Sequence, residues 1–229
     1  MRFAYLPPRL AREANEPHSF ACSRQAAGQL GIDVERIACD AYTVTGRKWL
    51  RGPRGTGFLF VQPEAPISPL YVDLASANLT FSSDGVPNGV EVRRDARRFE
   101  LWERSVAAVL GLCNALKEYT ELDKNDRFST MRVAARSLRN CVARRAEFQL
   151  LGEVDSPSSI VGFYLRDPTK ELKLVERFAS AELQITAIGD WLCPMHFPRN
   201  GAKLIFRLAP HYYTSDETVR LAIDTIEGF

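Results

Sequence analysis

Apolar residues repeat at helical spacing in two long stretches near the middle of the chain. The pattern predicts one helix from Phe99 to Glu121 and a second from Asp126 to Gln149, because apolar side chains three or four positions apart share a helix face. The apolar stripe of the first helix consists of Phe99, Trp102, Val106, Val109, Leu110, Cys113 and Leu116. In the second helix Met131, Ala135, Leu138 and Val142 are predicted to point inward, and Arg132, Arg136, Arg139, Arg144 and Arg145 mainly outward.

Beyond residue 150, short apolar runs alternate with helical patterns. The predicted elements are strands at Ile160–Leu165, Leu183–Ile188 and Lys203–Leu208 and a helix at Thr169–Ser180. Ser215 is a predicted N-cap, since the acidic residues Asp216 and Glu217 follow it in the first turn of a helix. This last helix is expected to pack Val219, Ala222, Ile223 and Ile226. Strands that alternate with helices in this way indicate a small α+β unit.

The first half of the chain has weaker patterns. GFLFV, from Gly57 to Val61, predicts a buried strand bounded by a glycine-rich turn and Pro63. Residues 62–98 contain four prolines and several Ser, Asn and Gly positions, so we predict a long ordered loop. Loops of that length are usually functional or poorly ordered. The first 20 residues are rich in proline and charge and have no clear period, and we expect them to be irregular.

Composition places the chain among ordinary globular proteins. Apolar residues make up 45% and charged residues 25% of the 229 positions, with a formal net charge of +2, and this balance demands neither a nucleic-acid nor a membrane partner. Five scattered cysteines form no C-x-x-C pair, so we expect thiols. With only three histidines, none at metal-ligand spacing with cysteine, we predict no metal site. The proline-containing N-terminus is unlike a secretory signal, so a cytoplasmic location is expected.

The segment from Thr43 to Phe60, TVTGRKWLRGPRGTGFLF, concentrates four cationic side chains among four glycines. Cations beside backbone that permits close approach suit a bound phosphate, although the order of residues is not that of a P-loop. The neighbouring arginines disfavour the ammonium form of Lys48, which helps a lysine to attack an aldehyde. A solvated basic loop in front of a strand is the competing interpretation.

The same segment resembles the cofactor-lysine region of class V aminotransferase-fold enzymes, which use pyridoxal 5'-phosphate (PLP). The resemblance extends over roughly residues 20–229, through QAAGQLGIDV, TGRKWLRGPRGTGFLFV, RRFELWERSVAAVLGL and RLAPHYYTSDE. It implies that Lys48 is the catalytic Schiff-base lysine and that Gln25, Thr45 and Arg47 also contact the cofactor. Arg207 would bind the α-carboxylate of an amino-acid substrate through a bidentate pair.

The resemblance implies an α/β protein of PLP fold type I. Residues 1–120 would form the C-terminal part of the large domain, and residues 121–229 a small α+β domain. The family's N-terminal half is expected to be missing, which would leave the strand GFLFV without its usual parallel neighbours and with exposed edges. Lyase, epimerase or aminotransferase chemistry in a homodimer is implied. Cys22 stands where the family carries an aspartate that pairs with the cofactor's pyridine nitrogen.

The sequence is compatible with two other functions. The chain could be a non-catalytic remnant or interaction module of the same family, which Cys22 favours, or a nucleic-acid binder that uses the arginine face of the second helix. Cys193 lies roughly where cysteine desulfurases carry a persulfide-forming cysteine, but a buried or inert thiol is the simpler interpretation. His211 and Tyr212 belong to the closing motif, where a packing role competes with substrate contact.

Overall fold

The structure is a computed structural model that describes residues 20–23, 25–122, 124–192 and 202–229. It divides into two compact units, one within residues 5–121 and the other within residues 122–229. Each unit has its own sheets, helices and clusters of buried side chains. Among the helices of the described residues, none combines the length and the apolar character that crossing a membrane requires.

A three-stranded sheet forms the centre of the first unit. Strand β1 (Phe20–Ser23) runs parallel to β2 (Ala41–Thr45), and the short helix α1 (Val34–Ile37) lies between them in the chain. Strand β3 (Gly57–Val61) pairs antiparallel with β2. Among the described residues β3 therefore has no parallel neighbour and lies at the edge of the sheet, as expected, and its partner β2 is antiparallel.

The alternation of buried and exposed residues in β2 explains how this sheet packs. Tyr42 and Val44 are buried together with Cys39 and Leu50, and Leu116 from helix α2 (Val106–Glu121) packs against this cluster. Thr43, between them, is exposed on the other face. One face of β2 is therefore covered by α2, and the threonine face is open at its centre.

Helix α2 begins seven residues later than the sequence predicts. The Ser105 hydroxyl accepts a hydrogen bond from the Ala108 backbone N–H at 3.2 Å, which satisfies a donor of the first turn and sets the start of the helix. Residues Ala96–Phe99 form a separate 3₁₀ helix. The predicted apolar stripe is also largely wrong as a buried face, because these members are exposed: Trp102, Val106, Val109, Leu110 and Cys113.

The predicted loop at 62–98 contains a β-hairpin. Strands β4 (Ala77–Phe81) and β5 (Pro87–Val92) pair antiparallel, and Gly85 in the turn has a φ of +79° that glycine adopts without strain. The prediction fails because β5 begins with turn-type residues, Pro-Asn-Gly. The hairpin leaves a row of apolar side chains exposed, namely Leu79, Phe81, Val86, Val90 and Val92.

The second unit is a four-stranded antiparallel sheet in the order β6-β7-β9-β8. Its strands are β6 (Phe148–Leu151), β7 (Val161–Leu165), β8 (Thr186–Gly189) and β9 (Leu204–Leu208). Its helices are α3 (Lys124–Arg144), α4 (Glu171–Ser180) and α5 (Asp216–Glu227). One sheet face and the helices enclose a core of buried side chains that includes Phe163, Phe178, Phe206 and Ile226.

Most sequence predictions for this unit hold. Met131, Ala135, Leu138 and Val142 are buried as predicted, and the Ser215 hydroxyl caps α5 by accepting from the Thr218 N–H at 3.1 Å. The strand Leu183–Ile188 is shifted to Thr186–Gly189. The helix predicted at 169–180 divides into a 3₁₀ turn, Pro168–Lys170, and α4.

Two predictions for α3 are wrong. The helix ends at Arg144 rather than Gln149, because Phe148 starts β6 and packs edge-on against the Phe163 ring at a centroid distance of 5.4 Å. Arg139, expected to point outward, is only 2% exposed. Its guanidinium donates hydrogen bonds to the main-chain carbonyls of Val154, Ser156, Ser158 and Ile160.

Candidate active site

The turn after β2 places Lys48 within a compact loop. The Gly46 N–H donates to the Thr56 carbonyl at 2.9 Å, and the Gly52 N–H donates to the Gly46 carbonyl at 2.8 Å. Inside this closed turn the Arg51 N–H donates to the Lys48 carbonyl at 2.8 Å. These bonds tie the backbone on both sides of Lys48 to the end of the sheet.

Close backbone approach explains two glycines of the motif. A Cβ atom on Gly46 would lie 2.6 Å from the Thr56 hydroxyl oxygen and 2.8 Å from a Leu112 methyl group, and one on Gly57 would lie 2.2 Å from the Val44 carbonyl oxygen. Any other residue at these positions would force the strand and the turn apart. The glycines therefore set the close packing of the turn on β3 and α2.

The turn is also attached to α2 by an ion pair. Arg51 has a positive φ of +60°, and its guanidinium donates to the Glu118 carboxylate at 2.9 Å. Both side chains are substantially exposed, so the pair contributes little to the free energy of folding. The pair connects the turn that carries Lys48 with α2.

The four predicted cofactor-contacting residues lie at one edge of the first sheet. Because β1 and β2 are parallel, with Ser23 paired to Val44, both strands end at the same edge. Gln25 follows the end of β1, while Thr45, Arg47 and Lys48 lie at and just after the end of β2. The edge beyond the carboxyl ends of parallel strands is where α/β proteins usually bind ligands.

The exposure of these side chains differs in a way that suits a ligand. Gln25, Thr45 and Lys48 are half-buried, and Arg47 is exposed. Gln29, which sequence analysis did not single out, is buried, and its side-chain amide donates to the Gln25 carbonyl at 2.6 Å. The buried Gln29 amide thus stabilises the turn that contains Gln25.

The donors at this edge fit two of the three functional parts of PLP. A hydroxyl and a guanidinium can bind a phosphate dianion, and a lysine amine can attack an aldehyde. For the pyridine nitrogen, the resemblance implies an aspartate at position 22, where this chain has Cys22 in β1. The phosphate and aldehyde ends fit the residues, and the ring nitrogen lacks an acidic partner at that position.

Arg207 belongs to the second unit, on the face of the sheet opposite the core that the helices cover. Its neighbours in β9, Phe206 and Leu208, are buried in the helix-covered core, so the alternation of a strand turns Arg207 to the opposite side. Its Nε atom is buried and has no hydrogen-bond partner among the described residues. An unsatisfied guanidinium donor of this kind suits a ligand carboxylate.

His211 lies in a cluster of aromatic rings close to the start of α5. It is 8% exposed, its ring stacks on Tyr213 at a centroid distance of 4.3 Å, and its Nδ1 accepts from the Tyr212 N–H at 3.0 Å. Cys193, His18 and His196 lie outside the described residues. Within the described ranges, no group of three His, Cys, Asp or Glu side chains is arranged to hold a metal ion.

The sequence matches a known protein family over most of its length. The family model for aminotransferase class-V matches residues 18–217. Isopenicillin N epimerase of Streptomyces clavuligerus is 50% identical over 38 residues, which is 17% of this chain and 10% of the epimerase.

Solved structures share the fold at low sequence identity. The cystine C-S lyase C-DES, solved with its product cysteine persulfide, superposes with a TM-score of 0.71 at 22% identity over 90% of this chain and 50% of C-DES. A second structure of C-DES has glycine covalently linked to its PLP cofactor. The apo cysteine desulfurase of Thermococcus onnurineus NA1 gives a TM-score of 0.73 at 16% identity over 92% of this chain and 52% of that chain.

The chain thus spans about half the length of the solved structures that it matches. At these identities the likeness concerns the fold, and it confirms the predicted PLP fold type I. The family match, in contrast, extends over most of the sequence, from residue 18 to residue 217. The chain belongs to the class-V aminotransferase family.

Proposed function

We propose that this chain forms part of a PLP-dependent enzyme that acts on an amino acid, with Lys48 as the residue that binds the cofactor covalently. The observation that carries the proposal is the meeting of Gln25, Thr45, Arg47 and Lys48 at the edge where β1 and β2 end. Residues 20 positions apart in sequence reach this edge only because the two strands are parallel. A solvated basic loop gives no reason for Gln25 to be there.

Each residue has a distinct role in the proposal. Thr45 and Arg47 bind the cofactor phosphate, the first through its hydroxyl and the second through a permanent charge. Gln25 donates to the oxygen on the ring. Arg207 binds the substrate α-carboxylate, which gives the buried Nε donor a partner. When bound, PLP withdraws electrons from the substrate carbon, and the Lys48 amine carries a proton to or from that carbon.

The names of the relatives support chemistry at Cα or Cβ of an amino acid. An epimerase moves a proton at Cα, and a C-S lyase breaks a bond at Cβ, and both kinds of protein are similar to this chain. We therefore infer lyase, epimerase or aminotransferase chemistry. The exposed apolar row on β4 and β5 supports assembly as a homodimer, since a row of this kind is typical of interaction surfaces.

A non-catalytic family member is the second candidate. Cys22 is the observation that favours it, because a thiol cannot keep the pyridine nitrogen protonated as an aspartate does. Such a protein would retain the phosphate-binding edge and lose the electron-withdrawing strength of the ring. It would bind PLP without accelerating exchange at the substrate carbon.

The test is an absorbance spectrum of the purified protein with PLP, followed by borohydride reduction and peptide mapping. We expect the visible band of lysine-bound PLP and a permanent label on Lys48, both lost in Lys48→Ala. Lys117→Ala is the matched control, since Lys117 is an exposed lysine on α2. Label spread over surface lysines, with no loss in Lys48→Ala, would refute cofactor binding at this site. Binding without proton exchange of amino acids into deuterated water would support the non-catalytic candidate.

A further inference from the structure

The sheet register gives Arg207 two direct neighbours on its own face. In the antiparallel ladder Arg207 pairs with Gly162 of β7 on one side and with Thr186 of β8 on the other. Directly paired residues project to the same face, with Cβ atoms about 4.5–5.5 Å apart. The guanidinium therefore leaves the sheet between a residue without a side chain and a residue with a hydroxyl group.

Gly162 is not explained by the packing of this chain. A Cβ atom at this position would meet only Leu151 side-chain atoms, at 3.6 Å, which is ordinary van der Waals contact. Its backbone is that of a regular strand, without the positive φ that requires glycine. A glycine inside a strand often marks a place where a ligand approaches closely. The space that a Cβ would fill at Gly162 is bordered by Leu151 and lies beside Arg207 in the sheet.

Thr186 carries a hydroxyl group beside Arg207 in the sheet. The side chain is exposed, and its hydroxyl makes no hydrogen bond within the described ranges. A hydroxyl can donate one hydrogen bond to an anion. A carboxylate bound by the Arg207 guanidinium would lie within reach of this hydroxyl, because the two residues are direct cross-strand partners.

We propose that Gly162, Thr186 and Arg207 together form a carboxylate subsite, in which Thr186 is a second donor and Gly162 leaves room for the carbon atom next to the carboxylate. The proposal rests on the proposed role of Arg207 and extends it to specificity. The ligand class is a small monocarboxylate, such as the carboxyl end of an amino acid.

The subsite is testable without the cofactor. The Nε–Hε group of Arg207 gives its own signal in a ¹H–¹⁵N NMR spectrum, and Arg207→Lys identifies it by its loss. We expect this signal to shift on titration of the full chain with propionate. In Thr186→Val, which keeps the β-branched shape, the Kd for propionate should rise about two- to tenfold, as expected for one lost hydrogen bond.

Two further variants separate the hydroxyl and the open space. Thr186→Ser keeps the hydroxyl and should restore the Kd to within about twofold of the original value. Gly162→Val covers the space beside the guanidinium and should abolish the titration. The control is Thr130→Val, because Thr130 is exposed on α3, and main-chain amide spectra verify that each variant remains folded.

The outcomes distinguish the subsite from the proposed function. A propionate-dependent Arg207 signal that is unchanged in Thr186→Val and Gly162→Val would overturn the subsite and leave the role of Arg207 intact. Absence of any shift in the original protein would overturn both the subsite and that role. A shift that depends on Thr186, in a protein whose Lys48 takes no PLP, would uphold the subsite and refute the cofactor proposal.

Discussion

At the scale of single residues, a buried carboxylate fixes the start of the strand that carries Arg207. Glu171 is only 5% exposed, and its Oε1 accepts hydrogen bonds from the Lys203 and Leu204 N–H groups, both at 3.0 Å. The carboxylate also lies in the first turn of α4, where the helix dipole favours negative charge. One side chain therefore joins the start of α4 to the start of β9.

Removing this carboxylate should destabilise the second unit. Glu171→Ala leaves two backbone donors unpaired, and we expect a loss of about 2 kcal/mol in the free energy of unfolding. Glu171→Gln keeps an acceptor oxygen and should lose less than half as much. Urea denaturation followed by circular dichroism measures both values. Equal losses in the two variants would show that the charge matters, rather than the acceptor.

Asp73 makes the stability of the first unit dependent on pH. Its carboxylate accepts from the Trp102 N–H at 2.7 Å and the Ala75 N–H at 2.8 Å. These hydrogen bonds, with Trp102 as the largest cause, hold the pKa of Asp73 below its ordinary value of 3.8. A carboxyl group whose pKa is lowered in the folded state stabilises that state above its unfolded pKa, and loses this effect as the pH falls through the folded pKa.

Asp73→Asn should therefore be less stable than the original protein at neutral pH. In strong acid the free energies of unfolding of the two proteins should become similar. Measurement of the free energy of unfolding at several pH values, from 7 down to about 2, tests this expectation. If the free energies of unfolding of the two proteins differ by the same amount at every pH, the Asp73 charge does not contribute to the difference.

At the scale of elements, the helix cap at Ser215 contributes to the stability of α5. The hydroxyl accepts from the Thr218 N–H at 3.1 Å, and no other side chain caps this end in the described structure. Ser215→Ala should lower the free energy of unfolding by about 1 kcal/mol. Ser215→Asp should keep most of the stabilisation that the cap provides, because an aspartate oxygen can also accept the hydrogen bond. Thermal unfolding of the two variants gives the comparison, and a neutral Ser215→Ala would contradict the capping role.

Sequence patterns succeed where an element is specified locally. The Ser215 cap and the inward face of α3 follow from neighbouring residues, and both are confirmed. The β4–β5 hairpin has no clear sequence pattern, since its apolar residues are exposed and its second strand begins with turn residues. The helical pattern of α3 continues through Phe148, and only contact with the distant Phe163 ring determines that this residue belongs to β6.

In the candidate site, too, some residues belong to a local sequence motif and others are brought together only by the fold. The lysine turn was found from the motif TGRKWL, whose glycines and cations are adjacent in sequence. The two cross-strand neighbours of Arg207 have no such local pattern. Gly162 and Thr186 lie 45 and 21 positions before Arg207 and become its neighbours only through the sheet register. Gln29 was missed for a similar reason, since its role depends on burial beneath Gln25.

At the scale of the whole molecule, the two units differ in how their apolar residues are used. The second unit buries a single large cluster beneath its sheet. The first unit has two small clusters and many exposed apolar side chains, including Leu70 (87%), Tyr71 (76%) and Leu74 (63%). Hydrophobic burial stabilises a fold in proportion to the area removed from water, so the second unit has the stronger core.

We therefore expect residues 122–229 to fold when produced alone. This fragment should show one cooperative urea transition, and residues 5–121 should self-associate and bind an apolar dye such as ANS. Circular dichroism, dye fluorescence and light scattering test the two fragments beside the full chain. A non-cooperative transition in the fragment 122–229 would show that its core is insufficient by itself.

The cage around Arg139 has a consequence for the strand beside Arg207. Four carbonyl oxygens of the segment 154–160 converge on one guanidinium, as the oxygens of a chelator converge on a metal ion, and β7 with Gly162 begins directly after this segment. The Arg139 guanidinium, unlike a bound metal ion, is covalently part of α3 and retains its charge. It can therefore neither dissociate nor be exchanged. The hydrogen bonds from Arg139 to the segment 154–160 therefore do not depend on the ions in solution, and the segment needs no dissolved cation to keep its conformation.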